Sequence, residues 1–229
     1  MMRSRFERQL NELHEDMIDM GALCEAAIGE AVRVLFAADR EAARQVVYGD
    51  RDIDRKEHEI EGLCLRLLLQ QQPVARDLRH ISAALKMITD MERIGDQAAD
   101  IAEITQHFRL PQNPASERHI SKMADAVKAM VTESIDAFVR EDEPLARKVL
   151  ASDDEVDRLF FKLRSDIIEM ISQNPAGGEE AVDLLMVAKY LERIGDHAEN
   201  IAEWALFTIT GERPDDGSAA APGTEKGNV

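Results

Sequence analysis

Apolar residues recur at spacings of three and four along nearly the whole chain, which is the period of an amphipathic α-helix. The pattern predicts helices near 3–38, 40–71, 75–108, 115–140, 143–173 and 179–210. The breaks between them have a chemical basis. Asp39 and Asp142 precede the second and fifth helices, where a carboxylate can cap free backbone N–H groups. Pro144 falls in a first turn, where proline is tolerated. QQQPVARDLR around Pro73 and QNPAGGEE around Pro175 read as helix-to-helix turns, and LPQNPAS at 110–116 as a linker. From Gly211 the apolar period stops, so residues 211–229 are expected to be a disordered acidic tail.

The pattern is duplicated. MERIGDQAADIAE, beginning at Met91, returns as LERIGDHAENIAE at Leu191. Shifted by 103 positions, Asp39, Ala43, Arg44, Val46, Asp50, Asp54 and Arg55 meet Asp142, Ala146, Arg147, Val149, Asp153, Asp157 and Arg158. The expected fold is therefore all-α, with two tandem three-helix bundles related by internal duplication. Residues 1–110 form the first repeat and 111–210 the second.

Composition narrows the function. The chain has 229 residues, a net charge of −17 and few aromatics. So acidic a surface argues against nucleic acid and against direct binding to anionic lipid; it suits cations and basic partner surfaces. The charged start, MMRSRFERQLNELHEDM, lacks an apolar signal core, and no apolar run is long enough to span a membrane. Cys24 and Cys64 lie in apolar-periodic stretches without metal-type spacing, which predicts buried, reduced thiols and a cytoplasmic setting.

The candidate chemistry lies in carboxylates. Glu92, Asp96 and Asp100 stand at i, i+4 and i+8, one acidic stripe with no interspersed Lys or Arg. Leu78 and Leu85 continue the same face, so the stripe is expected to run along a packing seam. About the turn at Pro73, Asp54 and Glu92 are each nineteen residues away, and Asp50 and Asp96 each twenty-three. Antiparallel packing then sets Asp50 and Asp54 opposite Glu92 and Asp96. In the second repeat Asp153 and Asp157 face Glu192 and Asp196 about a common midpoint. Such clusters require raised pKa values, arginine partners (Arg55, Arg93, Arg158 and Arg193 are near) or bound cations. An all-oxygen donor set suits Mg, Mn, Ca or Fe, and Zn is possible with His197 as an optional ligand.

ERIGD followed by A-x-x-IAE, twice, resembles the PhoU family of phosphate-uptake regulators, and QQPVARDLR is similar to that family's turn motif. The resemblance spans roughly residues 5–210. It implies a pair of three-helix bundles, with metal held by Asp50, Asp54, Glu92 and Asp96 and by Asp153, Asp157, Glu192 and Asp196. It also implies negative control of phosphate-starvation signalling, by coupling the ATPase subunit of a phosphate ABC transporter to a sensor histidine kinase. Such a protein would reach the inner face of the membrane through partners, and could form a homodimer. Two departures stand out. QNPAGGEEAVDLL replaces QQPVARDLR in the second repeat, and Asn200 replaces Asp100.

Two other readings stay open: a metal-free helical adaptor whose acidic stripes bind basic partners, and a carboxylate-bridged metal hydrolase. Neither a Glu-x-x-His motif, a phosphate-cradling glycine loop nor an HExxH motif occurs, so no catalysis is expected. The methionines at 17, 20, 87, 91 and 123 are expected to fill the core, and Trp204 to pack in the last helix. His14, His58, His80, His107 and His119 are expected at the surface.

Overall fold

Asp39 and Asp142 open their helices in the same way. In the computed structural model, Asp39 Oδ1 accepts from Ala42 N–H and Asp142 Oδ1 from Leu145 N–H, each at 3.0 Å. The preceding residues, Ala38 and Glu141, both take left-handed backbone at φ 51° and 52°, so each repeat reverses direction with the same pair of conformations. The structure describes residues 2–71, 73–107 and 114–212. Six helices run in order: α1 (Met2–Ala37), α2 (Arg40–Gln71), α3 (Ala75–Thr105), α4 (Pro114–Arg140), α5 (Glu143–Gln173) and α6 (Gly178–Thr210). A 3-10 turn at Pro175–Gly177 leads into α6, and no strand occurs among the described residues.

The expected ends hold to within a few residues. α3 stops at Thr105 instead of 108, where Gln106 N–H turns back to Glu103 O at 3.1 Å. Residues 114–116 of the expected linker are already helical, because proline is compatible with a first turn. The expected disorder falls mainly on 213–229, outside the described residues.

Each repeat is a three-helix unit, α1–α2–α3 and α4–α5–α6, and the two meet through like helices. α3 packs on α6 and α1 on α4, while α2 and α5 lie outside on their own repeats. Gly21 gives Ile135 of α4 its seat against α1, since a Cβ there would fall 2.5 Å from Ile135 Cδ1. One apolar core therefore runs through both repeats, with Met17, Met20, Met87, Met91 and Met123 fully buried in it as expected. Cys24 and Cys64 are buried free thiols in the same core. Burying each large apolar side chain contributes about 1.5–3 kcal/mol, so the shared core, more than helix propensity, holds these long helices.

His80 corrects the surface expectation. It is only 5 % exposed, stacked on Phe138 of α4 with centroids 4.2 Å apart. Its Nε2 lies 2.7 Å from His14 Nε2, so one ring donates and the other accepts. Burial, then the neighbouring His14 and Arg76, hold its pKa down to about 3. The sequence pattern around residue 80 could not show that α4, from the other repeat, closes over this face. Leu78 corrects the seam expectation in the opposite direction: it is half exposed.

Candidate functional site

α2 and α3 run antiparallel, and the outer groove between them gathers the predicted carboxylates. Asp50, Asp54 and Glu92 are partly buried and Asp96 is exposed. Asp50 sits deepest. A Cβ on Gly95 would lie 2.6 Å from Asp50 Oδ1 and 2.8 Å from Ile53 Cδ1, so the glycine gives this carboxylate its room against α3. Asp50 Oδ1 is buried and has no hydrogen-bond partner. Burial, followed by the charges of Asp54, Asp96, Glu92 and Asp100, pushes Asp50 up to about 6. Burial is also the first cause raising Glu92 and Asp96, with Asp96 and then Glu57 next for Glu92, and Asp54 next for Asp96. Arg93 opposes both shifts.

The second repeat builds the same groove between α5 and α6. Asp153 is pushed up to about 6 by burial and then by Asp157, Asp196, Glu192 and Asp154. A Cβ on Gly195 would lie 3.4 Å from Asp153 Oδ1, a looser fit than at Gly95. All eight predicted residues are thus brought into two equivalent clusters. The arginines beside them are partly committed elsewhere: Arg55 pairs with Asp52 at 3.0 Å and Arg158 with Glu155.

The clusters differ in their surroundings. Glu192 forms an ion pair with Lys189, and Lys189 and His197 oppose the rise at Asp196. The first cluster has Thr89 at the equivalent place, and Glu57 and Glu61 extend it where the second has Phe160 and Arg164. Sequence reasoning missed these flanking groups, although Glu57 and Glu61 stand three and seven residues beyond Asp54 on the same helix. His197, considered as a ligand, has its Nδ1 2.9 Å from Asp90 Oδ1, which also accepts from Asn200 Nδ2 at 3.2 Å. Those bonds join α6 to α3 between the repeats.

The donor set fits a hard or borderline cation: four carboxylates per groove and an unpartnered inner oxygen in the first. Among the described residues no three His, Cys, Asp or Glu side chains already stand as ligands of one ion, so binding requires side-chain rotation. Among the described residues no helix is long and apolar enough to cross a membrane.

The duplicated sequence has a counterpart in known proteins. The family model for the PhoU domain matches this chain twice, at residues 17–105 and 120–205. The chain belongs to the PhoU family. A phosphate-specific transport system accessory protein PhoU homolog from Clostridium acetobutylicum is 35 % identical over 216 residues, covering 94 % of this chain and 99 % of that protein. One from Aquifex aeolicus is 38 % identical over 207 residues, covering 90 % of this chain and 93 % of its own length. The crystal structure of PhoU from Pseudomonas aeruginosa superposes with a TM-score of 0.83 at 34 % identity, covering 90 % of this chain and 100 % of that one. Both PhoU matches contain an ERIGD motif, and each carries the inner glycine of one groove, Gly95 or Gly195.

Proposed function

We propose that this PhoU-family chain is a non-catalytic regulatory adaptor of phosphate uptake, with cations held at its two acidic grooves. It represses phosphate-starvation signalling by linking the ATPase subunit of a phosphate ABC transporter to a sensor histidine kinase. It works at the cytoplasmic face of the membrane through those partners, as a monomer or a homodimer. Support for the phosphate role comes from the relatives, which are named accessory proteins of phosphate-specific transport systems.

The observation that carries the metal reading is the pair of equivalent, partly buried carboxylates at Asp50 and Asp153, each set against the glycine of the facing helix, with Asp50 Oδ1 lacking a hydrogen-bond partner. Asp50, Asp54, Glu92 and Asp96 would hold cations in the first groove, and Asp153, Asp157, Glu192 and Asp196 in the second. The cation is Fe, Zn, Mn or Mg. Its role is to neutralise the groove and tie α2 to α3 and α5 to α6. A metal-free adaptor is the second reading, favoured by the absence of a preformed ligand trio among the described residues.

Elemental analysis of the purified chain separates the two. Metal should be present, and Asp54→Ala with Glu92→Ala should empty the first groove and spare the second. Unchanged stoichiometry would leave the metal-free adaptor. Deleting the gene should leave phosphate-starvation genes expressed in phosphate-rich medium. Normal repression in that strain, with no second such protein present, would falsify the regulatory reading. Membrane association should need the transporter and should fall in high salt, because the Debye length shrinks from about 10 Å at 0.1 M to about 3 Å at 1 M.

A further inference from the structure

The α2–α3 hairpin tip presents apolar side chains that the core does not use. Leu69 is 83 % exposed, Val74 69 %, and Leu65 and Leu78 each 47 %. They share one face. At about 100° per residue, Leu65 and Leu69 lie about 20° and 60° round α2 from Asp54, and Leu78 about 40° round α3 from Glu92, with Val74 immediately before the first turn of α3. Between this patch and the carboxylate groove stand Glu61 and Glu57, about 6 and 12 Å along α2 from Leu65. Apart from His58 Nδ1, 3.7 Å from Glu57, neither glutamate has an ion-pair partner among the described residues. Of the nearby cations, Arg76 pairs with Glu141; Lys86 lies about 80° round α3 from Leu78, and Arg66, about 60° round α2 from Leu69, stands at the rim of the patch.

The second hairpin does not repeat the arrangement. Phe160, Phe161 and Arg164 stand where the first repeat has Glu57, His58 and Glu61, and Arg164 Cζ lies 5.9 Å over the Phe161 ring. The two tips therefore select different charges.

We infer that the α2–α3 hairpin tip is a docking surface for an amphipathic helix of a protein partner, whose apolar stripe is followed within one to two turns by Lys or Arg. The apolar stripe lies on Leu65, Leu69, Val74 and Leu78, and the basic residues meet Glu61 and Glu57. Charge selects this occupant. Anionic lipid is repelled by the two glutamates and by a chain of net charge −17. A second copy docked tip to tip sets the same glutamates against each other. The surface deepens the adaptor reading and rests on it.

The probe is a designed helical peptide of about eighteen residues, with Leu at i, i+4 and i+7 followed by two Lys, and a counterpart with Glu in place of Lys. Binding to the full chain is read by fluorescence anisotropy, and circular dichroism confirms that each variant keeps its helices. The Lys peptide should bind and the Glu peptide should not. Leu69→Asp with Leu78→Asp should weaken the Lys peptide about tenfold or more. Glu57→Lys with Glu61→Lys should do the same and admit the Glu peptide. Ile168→Asp, at the second tip, should change nothing. No binding, equal binding of both peptides, or indifference to the first-tip variants overturns the surface. So does Leu69-dependent binding to phosphatidylglycerol vesicles, or a dimer in sedimentation that Leu69→Asp dissolves. In cells, the Leu69→Asp, Leu78→Asp variant should lose repression. If it represses normally while the deletion strain does not, the surface fails and the adaptor reading stands.

Discussion

Asp50→Asn tests whether the inner carboxylate destabilises the metal-free protein, as its surroundings require. The folded-state pKa is about 6, against the ordinary carboxylate value of 3.8. A rise of that size corresponds to at most about 3 kcal/mol. Asp50 is only partly buried, and solvent screening brings the expected effect down to about 1–2 kcal/mol. The sign follows from linkage. Below the unfolded pKa the carboxyl is protonated in both states and no penalty exists. As pH rises toward 6 the unfolded chain releases its proton first, so the folded state loses stability relative to it. Above about pH 6 the penalty is complete. In chelator, Asp50→Asn should therefore stabilise the protein near neutral pH and do little near pH 4. For a chain of this size, about 1–2 kcal/mol raises Tm by roughly 2–8 °C. Adding Mn should reverse the sign: ligand binding stabilises the wild type by mass action, and the variant has lost a donor. Thermal melts by circular dichroism at the two pH values, with chelator and with Mn, give all four measurements. A variant less stable than wild type at neutral pH in chelator would refute the electrostatic argument. An Mn-induced stabilisation equal in both proteins would remove Asp50 from any metal site.

Gly95→Ala should cost about 1 kcal/mol and weaken Mn binding, because the new methyl displaces Asp50 and Ile53. Gly195→Ala, where the nearest atoms are 3.4 Å away, should be neutral or slightly stabilising in the same melts. Asp90→Ala removes the acceptor for His197 and Asn200 between the repeats and should destabilise by about 1–3 kcal/mol, read by urea unfolding. His80 has the opposite pH sign from Asp50. Its folded pKa of about 3 lies below the unfolded 6.5, so stability is lost as pH falls from 6.5 toward 3. His80→Gln should reduce the acid-induced loss by about 2 kcal/mol near pH 5, and an unchanged pH profile would show that His80 is not held neutral in the fold.

The helices, their caps and the duplication were legible in the sequence because each is a local property. Apolar spacing depends on one helix, Asp39 and Asp142 cap the next few residues, and the thirteen-residue motif repeats in register. The facing carboxylates were also legible, since a short turn forces antiparallel helices into register and counting from Pro73 or Asn174 finds the pairs. Contacts between the repeats were not. His80 is buried by Phe138, and Asp90 binds His197 and Asn200, because α1 and α3 pack on α4 and α6 across more than fifty intervening residues. Nothing in the spacing of one helix encodes that partner. Tertiary structure also decided which carboxylate lies deepest, since Asp50 is set by its approach to Gly95 on a different helix, and which apolar residues stay outside the core. Leu78 and Met87 both follow the helical period, yet one is half exposed and the other fully buried, because only the second lies where other helices close over α3.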